Sequence, residues 1–233
     1  MYYYKCTFDV LSLLNVFRAQ TYLHKNEYTR LASCSTVLIF EFFCVLVALD
    51  LAFVVDGSNN VGSATFTLLM KFIKAIYHTL PVSGKGVHIG MVTFGDQGNM
   101  VFNFRQHRTI SDLDLAVNQL QLPGGSGNNA GAGLTVAHAQ VFGGSGRKHK
   151  KVKKAMVTIL VGKSDDDVVV QIKKIKSEDI ISIIIGINSD TGQANLIASS
   201  PDHQLLLTDP RQLMDFIDKV IEMLNKGKQS YFI

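Results

Sequence analysis

From residue 49 onward the chain alternates between two hydrophobic patterns. Short continuous apolar runs at 50–55, 86–94, 155–161 and 180–187 lack polar alternation, which predicts strands buried on both faces. Between the first two runs, Phe66, Leu69, Met70, Ile73, Ile76, Tyr77 and Leu80 recur at helical spacing, with Ser63 placed to cap the helix. "SDLDLAVNQL" (111–120) reads as a short capped helix. A further helix over 129–142 is bracketed by two copies of "GGSG", at 124–127 and 143–146. "DDDVVVQIKKIK" predicts a helix with acids in its first turn, "TGQANLIASS" a short helix, and "QLLL" (204–207) a last strand. The final helix, near 210–225, carries Leu213, Phe216, Ile217, Val220 and Leu224 on one face.

Buried strands linked by helices imply an α/β fold, a doubly wound and mostly parallel sheet covered on both faces. "MVFNF" (100–104) follows its neighbour through the hairpin-like "GDQGN", so it is expected to be the one antiparallel edge of a six-stranded sheet. In such sheets ligands bind beyond the carboxyl ends of the strands, where strand order reverses. The stretch "LDLAFVVDGSNNVG" (49–62) delivers Asp56 and Ser58 to that position.

The first 48 residues follow neither pattern. An apolar run, "VLIFEFFCVLVA" (37–48), is broken by Glu41 and preceded by Lys25 and Arg30. It is too short for a membrane span, which needs about 20 residues. It suits a signal-peptide core ending near Ala48, although the stretch ahead of it is long for a signal. An extra strand or a wrongly drawn first exon are the alternatives. The expected organisation is a leader at 1–48, one domain at 49–225 and a frayed or truncated tail at 226–233. A chain begun at Leu49 should then fold with nearly unchanged stability in chemical denaturation; a loss of several kcal/mol would make the leader structural.

Composition adds little except exclusions. With 47% hydrophobic and 18% charged residues the chain is ordinary for a globular domain, and a net charge of +4 does not itself imply nucleic acid. Cys6, Cys34 and Cys44 all precede residue 49, so the domain can have neither a disulfide framework nor a cysteine metal site. No Gly-x-Ser-x-Gly, His-Glu-x-x-His or paired-carboxylate motif occurs, and no enzyme is expected. "GGSGNNAGAG" contains the start of a dinucleotide fingerprint but follows a helix and Pro123 instead of a strand, so it reads as a flexible loop.

Taken together, "DLAFVVDGS", the helix after it, "GMVTFGD", the glycine-rich loop before a helix and "GKSDDD" after a strand resemble the von Willebrand factor type A family over about 49–225, in wording typical of its matrix and adhesion branch. The resemblance implies a Rossmann-like fold and a three-loop Mg²⁺ site that leaves one position open for a partner's carboxylate. Asp56 and Ser58 match the first two ligand positions, Asn60 replaces a serine, and Asn128 falls on the threonine position, with Ser126 there if the register slips by two. Val161 stands where the third loop should supply an aspartate. Mg²⁺ demands near-octahedral oxygen, and a site with a single carboxylate is expected to have lapsed. The acids Asp165, Asp166 and Asp167 read more simply as helix caps than as substitutes. No cofactor is expected, and Mg²⁺ only if the remnant site fills.

"RKHKKVKK" (147–154) holds Arg147, Lys148, Lys150, Lys151, Lys153 and Lys154 with His149, a candidate surface for heparin-like glycans or acidic partners, or else a solvated loop. Nucleic acid is not expected, for want of interleaved aromatics. The sequence therefore predicts a metal-independent module binding a matrix or cell-surface protein, secreted if the leader is a signal; the alternatives are an intracellular scaffold domain in a multiprotein complex, or a Mg²⁺-dependent adhesion domain with a noncanonical ligand set.

Overall fold

The computed structural model describes residues 48–149 and 151–225. The leader through residue 47, Lys150 and the tail lie outside the described residues, and with them the signal-peptide reading.

β1 (Leu49–Asp56) leads into α1 (Gly62–Thr79), β2 (Val87–Phe94) and β3 (Gly98–Phe102). α2 (Ile110–Asn118) follows, then α3 (Ala130–Val136), which continues as a π-helical segment, Ala137–Gly143. β4 (Lys153–Val161), α4 (Val169–Ser177), β5 (Ile181–Ile187), α5 (Thr191–Ile197), β6 (Gln204–Leu207) and α6 (Ile217–Asn225) complete the domain. The six strands lie in the order β3-β2-β1-β4-β5-β6, all pairs parallel except β2 with β3. The predicted antiparallel edge is therefore present, two residues earlier than the apolar run suggested.

β1 is buried along its whole length because helices cover both faces of the sheet. Its alternate side chains serve two cores. Leu49, Leu51, Phe53 and Val55 pack with α1, α2 and α6, among them Phe66, Leu113 and Val220. Ala52 and Val54 pack with α3, α4 and α5, among them Leu134, Ile172 and Ile197. Each fully buried large side chain of this kind contributes about 1.5–3 kcal/mol.

Three local expectations are corrected. Ser63 does not cap α1: the helix begins at Gly62 after Val61, with no side-chain cap. The acids of "DDD" are not in the first turn of α4, which starts at Val169; they occupy the loop before it. The last helix is split, a 3₁₀ segment over Pro210–Phe216 turning into α6. Asp209 and Gln212 form a capping box with Pro210 at the first position, and that geometry fits a tight first segment.

Strand order reverses between β1 and β4, so the crevice opens above Asp56 and Val161. The described residues of the basic run lead into β4, whose first two residues are Lys153 and Lys154, at the other, amino-terminal end of the sheet.

Candidate functional site

β1 carries Asp56 to its last residue, where the side chain is wholly buried. Its Oδ1 accepts the Ser58 amide at 2.9 Å, an Asx-type turn that closes the first loop. Its Oδ2 accepts the Val161 amide from β4 at 3.1 Å, so the carboxylate bridges the two strands of the switch point. Burial pushes the Asp56 carboxyl above its ordinary range, against the opposing pull of the Ser58 and Val161 amides and of the nearby Ser58 and Asn128 side chains. Those two side chains stand close to the carboxylate without forming a hydrogen bond to it of good length and angle.

The glycine-rich loop supplies Asn128, also buried. Its Nδ2 donates to the Val161 and Lys163 carbonyls at 2.9 and 3.0 Å, which fixes the amide and leaves Oδ1 as the free atom. Ser58 Oγ and Asn128 Oδ1 are both buried without hydrogen-bond partners. Ser126 is exposed and turned toward Asp96 Oδ1 at 3.3 Å, so it is Asn128 that the fold sets beside the strand ends. Asn60 is exposed on the turn after Ser58, away from the hydrogen bonds that join Asp56, Ser58, Asn128 and Val161. Val161 is half-buried against the apolar core, and Gly162 turns the chain out at φ +79°, a conformation that favours glycine.

The third loop closes onto α3. Asp166 accepts the Gly131 and Ala132 amides at 2.7 and 2.8 Å, and Ser164 Oγ accepts the Ala130 amide at 3.0 Å. Asp165 exchanges hydrogen bonds with the backbone of Asn128, each 2.8 Å. Asp167 Oδ1 accepts the Val169 amide just before α4, whose N-cap position, Val168, has no side-chain cap. Asp166, with Ser164, thus holds the amino terminus of α3, a role that adjacency in sequence concealed. Gly131 is required there, since a Cβ would collide with the Asp167 carbonyl.

The two orphaned oxygens, Ser58 Oγ and Asn128 Oδ1, are the atoms a divalent cation would find here beside Asp56. Both Asp56 oxygens already accept amides, burial raises its pKa, and the Asp165 carboxylate is engaged by the Asn128 amide. Among the described residues no group of three or more His, Cys, Asp or Glu could hold a metal ion.

At the opposite end Arg147 turns inward. Its Nε and backbone amide donate to the two carboxylate oxygens of buried Asp50 at 2.7 and 2.6 Å, and its Nη2 donates to the Leu49 and Gly86 carbonyls at 2.9 Å each. Lys148 and Lys151 are exposed, whereas Lys153 and Lys154 are half-buried at the start of β4. The described cations of the run are therefore not equivalent.

Relatives share this domain. The chain is 27% identical to vitrin of Bos taurus over 177 residues, 74% of this chain and 26% of vitrin. It is 30% identical to the collagen alpha-4(VI) chain of Mus musculus over 156 residues, 65% of this chain and 7% of the collagen. It is 25% identical to integrin alpha-11 of Mus musculus over 204 residues, covering 78% and 17%. It thus spans about a quarter or less of these relatives. Among solved structures, proximal thread matrix protein 1 from the mussel byssus superposes with a TM-score of 0.70 at 18% identity, covering 79% of this chain and 47% of that one. A second structure of that mussel protein, with zinc in its MIDAS motif, gives 0.71 at 20% identity, covering 78% and 46%. The description of the von Willebrand factor type A domain matches residues 50–226, and the chain belongs to that family.

Proposed function

We propose that this domain is a protein-binding adhesion module of the matrix type that engages its partner without a metal ion and catalyses no reaction. The observation that carries the reading is the state of Asp56. Its two oxygens are committed to the Ser58 and Val161 amides, and the third loop offers Val161 at the strand end in place of a carboxylate. Collagen and integrin chains among the relatives support a matrix or cell-surface partner and an extracellular setting. Among the described residues, no helix is long and apolar enough to cross a membrane. Exposed Lys148 and Lys151 support a second contact, with heparin-like glycans.

Calorimetric titration of Mg²⁺ into the full chain tests the metal reading. No sub-millimolar binding is expected. Val161→Asp should create measurable Mg²⁺ binding, seen as a metal-dependent rise in melting temperature, because it places a second carboxylate beside Asp56 and the orphaned oxygens. Sub-millimolar binding by the unaltered chain, lost on Asp56→Ala, would overturn the reading.

A further inference from the structure

The fold adds to the basic run charges that are remote in sequence. Three segments, 83–88, 103–108 and the described residues 145–149 with 151–152, meet at the amino-terminal end of the sheet. Arg147 Nη1 donates to the Lys85 carbonyl at 3.3 Å, and the Phe104 amide donates to Ser145 Oγ at 3.1 Å. Arg108 Nη1 stands 2.8 Å from His88 Nε2, which is itself 3.0 Å from the Gly84 carbonyl. None of the three segments contains an Asp or Glu. The acid they enclose, Asp50, is buried and spent on Arg147. Glu178 and Asp179 lie at this end of the sheet too, before β5, where Glu178 pairs with His138. Beyond Arg108, α2 carries exposed Asp112 and also Asp114, which pairs with His78 and Lys74; Lys85, Arg105, Lys148 and Lys151 are exposed and Arg108 is half-buried.

We infer that Lys85 and Arg105 join Lys148 and Lys151 in one three-loop cationic surface that binds a sulfated glycan chain laid across the end of the sheet. The inference rests on the glycan contact proposed above and extends it beyond the 147–154 run. An extended polyanion matches charges spread over several loops, because each contact releases counterions and none needs a deep pocket. Nucleic acid fits less well. The phenylalanines of this region, Phe104 and Phe142, are buried against each other, which leaves no Phe, Tyr or Trp of these loops exposed for base stacking.

The test is retention of the full chain on immobilised heparin, single-stranded poly-dT and hyaluronan across a salt gradient, with circular dichroism confirming the fold of each variant. The chain should elute from heparin at clearly higher salt than from the other two. The double variant Lys85→Gln/Arg105→Gln should elute earlier, and its dependence of log affinity on log salt should be shallower by about one to two. Lys148→Gln/Lys151→Gln should do the same. An effect of the second pair alone would overturn the three-loop surface and leave the glycan contact standing. Absence of heparin retention by the unaltered chain would overturn both. Equal retention on poly-dT would overturn the glycan as ligand class.

Discussion

Arg147→Ala is expected to lower the stability of the domain by about 3–5 kcal/mol, the range for breaking a buried ion pair from one side. Asp50 sits on the central strand with no exposed surface, and the Arg147 side chain is only 21% exposed. The guanidinium does more than neutralise it: Nη1 and Nη2 also satisfy the carbonyls of Lys85, Leu49 and Gly86. Without it, Asp50 keeps the residue-147 amide and has His88 Nδ1 at 3.6 Å as the nearest remaining base. In the intact chain burial holds the His88 imidazole below its ordinary value, against the pull of the Gly84 carbonyl, with Arg147 and Arg108 adding to the effect and Asp50 opposing it. Its share of stability is therefore present above about pH 6.5 and is lost as pH falls through the lowered folded-state value. In Arg147→Ala one of those cations is gone, so acid should cost the variant less stability than it costs the intact chain. Arg147→Lys should recover only part of the loss, because an ammonium cannot span Asp50 and three carbonyls at once. Urea denaturation between pH 5 and 8 reads all of this; a loss under about 1 kcal/mol would reduce the pair to surface rank.

That result bears on what the sequence could reveal. "RKHKKVKK" reads as uniform charge, and nothing local marks its first member as the one that folds beneath β1. The placement depends on the parallel pairing of β1 with β4, a contact between segments about a hundred residues apart. The inner strands were legible because both faces of the sheet are covered there, which leaves them as largely apolar runs. The candidate site was legible in part: Asp56 and Ser58 follow such a run directly, and the resemblance located Asn128 and Val161. The acids at 165–167 were misread for a physical reason. A helix start attracts carboxylates from any direction, and proximity in sequence favoured α4, whereas Asp166 crosses to the bare amides of α3. The single residue Ser63 gave a plausible cap by type alone; the turn at Val61 and Gly62 starts the helix ahead of it.

Asp56→Ala is the second large effect, expected to cost about 2–4 kcal/mol while leaving partner binding nearly intact. The loss comes from the Ser58 and Val161 amides, each left without its acceptor at a cost of about 1–3 kcal/mol. Relief from burying a carboxylate offsets part of it. The pH dependence separates the two contributions. Burial makes the Asp56 carboxyl bind its proton more tightly in the folded chain than at its ordinary value of 3.8. Its share of stability is therefore fully present below about pH 3.8 and declines as pH rises through the higher folded-state value. Removing the group should flatten that decline, so the variant is penalised most in acid and less at neutral pH. Asp56→Asn, which keeps one acceptor oxygen and no charge, should fall between the two. Denaturation curves for the three proteins from pH 3.5 to 7.5 decide the matter. If Asp56→Ala is instead more stable than the unaltered chain at neutral pH and loses its partner, the carboxylate is held against the interest of the fold. An aspartate kept at such a cost is a ligand for an ion, and the metal-independent reading would then fail.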